Sequence, residues 1–206
     1  MSEIEKYISP RSFDEAVQVM ADGNVTILCG GTDLAPQIES GQLQHKSTLM
    51  NIRRIDSLSE ITLIDGKIRV GTLTTVSEIR QDKLLKDLVP VLLEAADQFA
   101  SEQIRNAASI GGNICNASPA GDMIIPLMVL DSVVELASWA DNKVQIHKIA
   151  LKDFFTGPGK TAKHDNELLT AVIFDKPAAF FVAHFRKSGP RPALEIACAS
   201  IGNRRY

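Results

Sequence analysis

The chain has 206 residues, 45% of them hydrophobic and 23% charged, ordinary values for a globular protein whose core is large enough to fold without staples. Twenty-two basic side chains against twenty-five acidic ones leave a net charge of -3, and no Lys/Arg block stands out, which argues against nucleic acid as a partner. Glu3, Glu5 and Lys6 stand where a signal peptide needs an apolar core, and the longest apolar run, "IIPLMVL", is too short to cross a bilayer. These features point to a cytoplasmic protein without a membrane span.

In chain order, "SFDEAVQVMAD" (12–22) reads as an amphipathic helix, with Phe13, Ala16, Val17 and Met20 at helical spacing. Ser12 and Glu15 fit a capping box, and Gly23 fits the stop. "VTIL" (25–28) is a β-branched strand that runs into "CGGTDLA", with a polar helix beginning near Asp33. "STLMNI" follows as a buried strand. "ITLIDGKIRVG" (61–71) is the clearest local signal: two alternating segments flank Asp65-Gly66, the pair a two-residue type I′ hairpin favours.

"TVSEIRQD" opens another helix, with Thr75 and Glu78 at capping-box spacing, and "PVLLEAADQFA" predicts a longer one from Pro90. A glycine-bearing stretch comes next, then a helix near 122–130. The last third reads as strands: "SVVELAS", "KVQIHKI", "ELLTAVIF", "AFFVAHFRK" and "ALEIACASIG", with "FFTGPGK" (154–160) as a Gly-Pro-Gly loop. Helix and strand alternate to about residue 53, and a hairpin-containing region follows. The economical picture is an α+β protein of two subdomains, 1–54 and 55–206, with a cleft between them.

Cys29, Cys115 and Cys198 are isolated and form no CxxC, and the four histidines are scattered. Spacing therefore encodes neither a zinc site nor an iron–sulfur cluster, and no metal ligand set is assigned.

Two stretches carry chemistry: "LCGGTDL" (28–34) and "SIGGN" (109–113). Each places Gly-Gly at a junction of regular elements, beside a hydroxyl or amide side chain, and is read as a turn. Glycine permits positive φ and close approach of a ligand to the main chain, and successive N–H groups in such turns make concave anion sites. A pyrophosphate suits that arrangement without any lysine. Neither loop matches GxGxxG or GxxxxGK[ST]. The residues by themselves point to a phosphate-bearing cofactor of open identity, or to plain turns.

The sequence resembles the FAD-binding medium subunit of the molybdenum hydroxylases, the family of xanthine dehydrogenase and aerobic carbon monoxide dehydrogenase. The matching stretches are "CGGTDL", "IRNAASIGGNICNASPAGD", "FFTGPGK" and "ELLTAVIF", with the weaker "FRKSGPRPALEIA", all in family order. The resemblance implies the two-subdomain FAD-binding fold of the vanillyl-alcohol-oxidase/CO dehydrogenase flavoprotein type. It puts a first phosphate loop on Leu28, Cys29, Gly30, Gly31, Thr32, Asp33, Leu34 and Ala35, and a second on Ser109, Ile110, Gly111, Gly112 and Asn113.

Further positions follow from the same resemblance. Asp122 matches a partner for ribityl or ribose hydroxyls, and equally suits a helix N-cap. Phe99 matches an aromatic beside the flavin ring and also fits the core periodicity of its helix. Leu168 matches a flavin neighbour and is otherwise a core residue. Lys187 matches another and is otherwise an exposed lysine; near a flavin, its charge would favour the reduced anionic ring.

The implied function is electron transfer: from [2Fe–2S] clusters on a small subunit, fed by a molybdopterin-binding large subunit, to FAD here and on to NAD⁺ or another acceptor. No catalytic acid–base residue is expected. Three cysteines cannot hold the clusters, which places them on a partner chain. The resemblance implies a further C-terminal domain past this region, and the expectation is that this chain lacks it. Two alternatives remain open, a flavin-free assembly subunit and a stand-alone FAD reductase of the enolpyruvyl reductase type.

Overall fold

The computed structural model describes residues 4–189 and 196–205. The chain opens with β1 (Lys6–Ile8) and α1 (Phe13–Met20). Ser12 Oγ accepts the Glu15 amide at 3.2 Å, whereas the Glu15 carboxylate accepts from Arg11 N–H at 3.1 Å and not from Ser12. The expected capping box is half formed, its return bond displaced by one residue. β2 (Val25–Leu28), α2 (Leu34–Glu39) and β3 (Thr48–Asn51) follow. The three strands form a parallel sheet in the order β1-β3-β2, with helices in the crossovers that parallel pairing requires.

β4 (Ile61–Ile64) and β5 (Lys67–Gly71) form the expected hairpin. Asp65 (φ 50) and Gly66 (φ 74) both occupy the left-handed region, as a type I′ turn demands. Six short helices come next: α3 (Val76–Gln81), α4 (Lys83–Leu88), α5 (Pro90–Asp97), α6 (Glu102–Arg105), α7 (Ile110–Asn116) and α8 (Ile124–Val129). Here the capping box is complete. Thr75 Oγ1 accepts from Glu78 N–H, and Thr75 N–H donates back to the Glu78 carboxylate at 2.7 Å.

The remaining elements are β6 (Val133–Ala140), β7 (Lys143–Ala150), α9 (Leu151–Phe154), β8 (Phe155–Gly157), β9 (Lys160–Thr161), β10 (Glu167–Asp175), β11 (Val182–Ser188) and β12 (Ala199–Arg205). The strand expected over 193–202 begins outside the described residues, as does part of "FRKSGPRPALEIA". The Gly-Pro-Gly loop closes the small β8–β9 hairpin.

An antiparallel sheet ordered β4-β5-β10-β6-β7 forms the framework. β10 lies at its centre, buried from Glu167 to Phe174. On one face Ile68, Val70, Val134, Leu136 and Val172 meet Val76, Leu92, Ile110 and Ile114 of the helices in the larger core. On the other face Ala137 and Leu168 pack with Ala16, Val17 and Met20 of α1. A fully buried Leu or Met side chain of this kind contributes about 1.5–3 kcal/mol, so α1 fastens the parallel sheet to the framework. No helix among the described residues is long and apolar enough to cross a membrane.

Candidate functional site

β2 ends where its parallel partner still holds it: Ile52 N–H donates to Leu28 O at 3.2 Å. Past that rung the chain turns sharply, with Gly31 at φ +73. Helix α2 is entered by Ala35 N–H to Gly31 O (3.4 Å) and Gln37 N–H to Asp33 O (3.0 Å). Between these points the amides of Gly30, Gly31, Thr32, Asp33 and Leu34 donate to no group among the described residues. Five consecutive open donors around a left-handed residue form a concave anion nest. It lies at the carboxyl edge of a parallel sheet, where ligands of open α/β sheets collect.

The second doublet differs from the expectation. Gly111 and Gly112 are not in a turn; they lie in the first turn of α7, capped by Ser109, whose hydroxyl accepts Gly112 N–H at 3.2 Å. Ile110 N–H donates to Thr74 O and Gly111 N–H to Thr72 O, both at 2.9 Å, and Asn113 N–H to Ser109 O at 3.0 Å. Every amide from 110 to 113 is thus used inside the protein. The glycines serve proximity. A Cβ on Gly111 would stand 1.7 Å from Thr72 Oγ1, while one on Gly112 would meet only Ser109 Oγ, at 3.0 Å. Asn113 Oδ1 is buried with no hydrogen-bond partner among the described residues.

The two stretches are nonetheless pressed together. A Cβ on Gly30 would lie 2.0 Å from Ala107 O, so only glycine lets the first turn seat on the strand of chain entering α7. Asn116, at the end of α7, clasps the other side: its Nδ2 donates to Asp33 Oδ2 and its Oδ1 accepts from Gln37 Nε2, both at 2.8 Å. Asp33 therefore makes no side-chain cap to α2. Beneath the clasp, burial pushes the Cys29 thiol up to about 12; Cys115 nearby adds to the shift and a Ser109 hydrogen bond offsets part of it. Burial likewise pushes the Cys115 thiol up to about 11. Asn116 was missed from sequence, although it belongs to the same "GGNICN" run.

The other singled-out residues fall in two places. Phe99, Asp122 and Lys187 come together where α5 ends. Lys187 Nζ lies 2.7 Å from Asp122 Oδ2, with side chains 1% and 9% exposed, and it also donates to Gln98 O at 3.3 Å, next to Phe99. Lys187 is thus a buried ion-pair partner and not a surface lysine. Asp122 is not an N-cap, since Met123 holds that position for α8. Phe99 is partly buried against the larger core. Leu168 is 1% exposed in the smaller core, which Cys29 also borders.

The sequence profile of the FAD binding domain in molybdopterin dehydrogenase matches residues 2–177. The nicotinate dehydrogenase FAD-subunit of Eubacterium barkeri is 31% identical over 203 residues, 96% of this chain and 67% of that protein. The xanthine dehydrogenase FAD-binding subunit of Escherichia coli O157:H7 is also 31% identical, over 201 residues, again 96% and 67%. Among solved structures, Cu,Mo-CO dehydrogenase in a cyanide-inactivated form superposes with a TM-score of 0.87 at 26% identity, over 97% of this chain and 68% of that one.

Sheet order, clasped loops and these likenesses define an α+β flavoprotein domain of the CO dehydrogenase type. The chain belongs to the family of FAD-binding domains of molybdopterin dehydrogenases, oxidoreductase flavoproteins of xanthine dehydrogenase-like complexes, and FAD is its cofactor. It spans about two thirds of the length of these relatives. The residues present suit that group: the nest offers the donors a diphosphate lacks, and Asn113 Oδ1 is a buried acceptor awaiting a donor such as a hydroxyl.

Proposed function

We propose that this chain is the electron-transfer flavoprotein of a heteromeric complex, taking electrons from [2Fe–2S] clusters of a small subunit and passing them to NAD⁺ or another acceptor. Substrate oxidation belongs to a molybdopterin-binding large subunit. The observation that carries the reading is the run of five open amides, Gly30 to Leu34, held against α7. When bound, the flavin would supply a store that fills one electron at a time from the clusters and empties as a pair to an acceptor such as NAD⁺.

The chain's own residues bind and orient. The turn 28–35 holds the diphosphate through its amides, neutralising charge by partial positive dipoles. Ser109, Ile110, Gly111, Gly112 and Asn113 form the wall opposite, contributing shape and the Asn113 carbonyl oxygen in place of open amides. Asp122 takes a hydroxyl of the ribityl or ribose chain, and Phe99, Leu168 and Lys187 border the ring. The division into 1–54 and 55–206 is part of the same reading, supported by the parallel sheet drawing only on residues 6–51. The three cysteines leave the clusters to a partner, since Cys29 and Cys115 are held as partly buried, protonated thiols far apart from Cys198 in sequence.

Expression with candidate neighbouring subunits, followed by absorbance and metal analysis of the purified assembly, tests the proposal. Flavin, iron and molybdenum should co-purify with the chain. A chain that takes up FAD yet recruits no iron-bearing partner would sink the electron-transfer reading.

A further inference from the structure

We propose that Arg105 is a positioning residue that fixes Phe99, and through it the aromatic wall of the flavin ring; this rests on the reading above that Phe99 borders the ring. Helix α5 ends at Gln98, whose amide returns to Ala95 and Ala96. The next residues leave the helix in a strained way, with Ala100 at φ 34, a left-handed value that a residue bearing a Cβ adopts at a cost. Such a turn persists only where its surroundings hold it.

Two cations do so. Arg105 Nη1 donates to Phe99 O at 2.6 Å and to Ala100 O at 2.8 Å, and Lys187 Nζ donates to the preceding carbonyl, Gln98 O, at 3.3 Å. Three successive carbonyls at the negative end of α5 are thus each held by a positive charge. Arg105 is itself set by α6, whose cap is Ser101 Oγ accepting from Ile104 N–H at 3.3 Å. Its Nε is buried with no partner among the described residues, so the side chain is placed for these carbonyls at the expense of its own full satisfaction. Two residues on, Ala107 touches Gly30. One short run of chain therefore sets both the phosphate turn and Phe99.

The test compares the full-length chain carrying Arg105→Met, Arg105→Lys, Phe99→Leu, or Arg105→Met with Phe99→Leu, each loaded with FAD. FAD affinity is read by fluorescence titration, and the ring's surroundings by visible circular dichroism of the bound flavin. Arg105→Met should reproduce the dichroism change of Phe99→Leu while affinity falls no more than about tenfold. The double variant should add nothing further, because both changes act on one contact. Arg105→Lys, which keeps a cationic donor without the planar fork, should restore part of the signature.

An unchanged spectrum in Arg105→Met beside an altered one in Phe99→Leu overturns the inference and leaves the functional reading standing, as does additivity in the double variant. An unchanged spectrum in Phe99→Leu removes Phe99 from the ring and overturns both. If Arg105→Met does not fold, Arg105→Gln, a neutral donor too short to hold both carbonyls, gives the same two-way result.

Discussion

Lys187 on β11 and Asp122 before α8 form an ion pair of 2.7 Å that is almost wholly shielded, with side chains 1% and 9% exposed. The pair ties the end of the framework's helical layer to the two-stranded β11–β12 sheet. Its charge is balanced inside the protein, which changes what a substitution should do. Lys187→Met leaves a buried carboxylate without this cation and should cost about 3–5 kcal/mol. Urea unfolding measures the loss, and Asp122→Asn in the same chain should recover part of it. A Lys187→Met chain of unchanged stability that shows only an altered flavin potential would return the lysine to a purely electrostatic role.

Gly30 and Gly112 separate fold from ligand. Gly30→Ala drives a methyl group into Ala107 O, 2.0 Å from the ideal Cβ, and should cost about 3 kcal/mol or more while abolishing flavin uptake. Gly112→Val meets only the Ser109 hydroxyl and sits at a helical position, where a side chain is tolerated. Its melting temperature should stay near that of the parent while flavin content drops to background. Full flavin occupancy in Gly112→Val would exclude the first turn of α7 from the site.

Asn116→Ala cuts both hydrogen bonds of the clasp to Asp33 and Gln37. Because these partners are accessible to water, global stability should fall by only about 1 kcal/mol. The open turn loses a tether, so FAD affinity should weaken about fivefold to tenfold by fluorescence titration. Equal FAD affinity in Asn116→Ala and parent would make the clasp irrelevant to the nest.

Glu94 sets an acid limit. Burial pushes its carboxyl up, but the Phe185 amide at 2.8 Å, the His184 ring at 2.9 Å and Arg186 together hold it below its ordinary value of 4.5. A depressed folded value means the bond stabilises above the unfolded value and is lost as pH falls through the folded one. Stability measured by urea should decline from about pH 5 downward, and Glu94→Gln should flatten that limb. An identical acid limb in Glu94→Gln would assign it to other carboxylates.

Cys29 and Cys115 should resist alkylation, since thiols raised to about 12 and about 11 offer almost no thiolate at neutral pH. Cys198 is exposed and should label first with iodoacetamide, as read by mass spectrometry. The other two, partly buried, should label far more slowly until the chain unfolds; rapid labelling of Cys29 in the native chain would contradict its raised thiol value.

Much of the fold was legible because its signals are local. The alternation around Asp65-Gly66 needs only neighbours along the chain, and so does the Thr75–Glu78 box. The short α4, α6 and α9 escaped because helices of four to six residues leave too little periodicity to read unless a start signal such as the Thr75–Glu78 box marks them. At the site, the sequence marked both glycine doublets but assigned them one role. Their division of labour depends on Thr72 and Thr74, which pair with α7 from a distant part of the chain.

By itself the sequence determined which backbone could be bare: where glycines stand, where strands alternate, and which motif order ties the chain to its flavoprotein family. Only the tertiary structure decided which amides stay open, which glycine is there for contact, and that Lys187 answers Asp122. Propensity and periodicity act between residues adjacent in sequence. Hydrogen-bond satisfaction and charge pairing are settled by whatever the fold brings within about 3 Å.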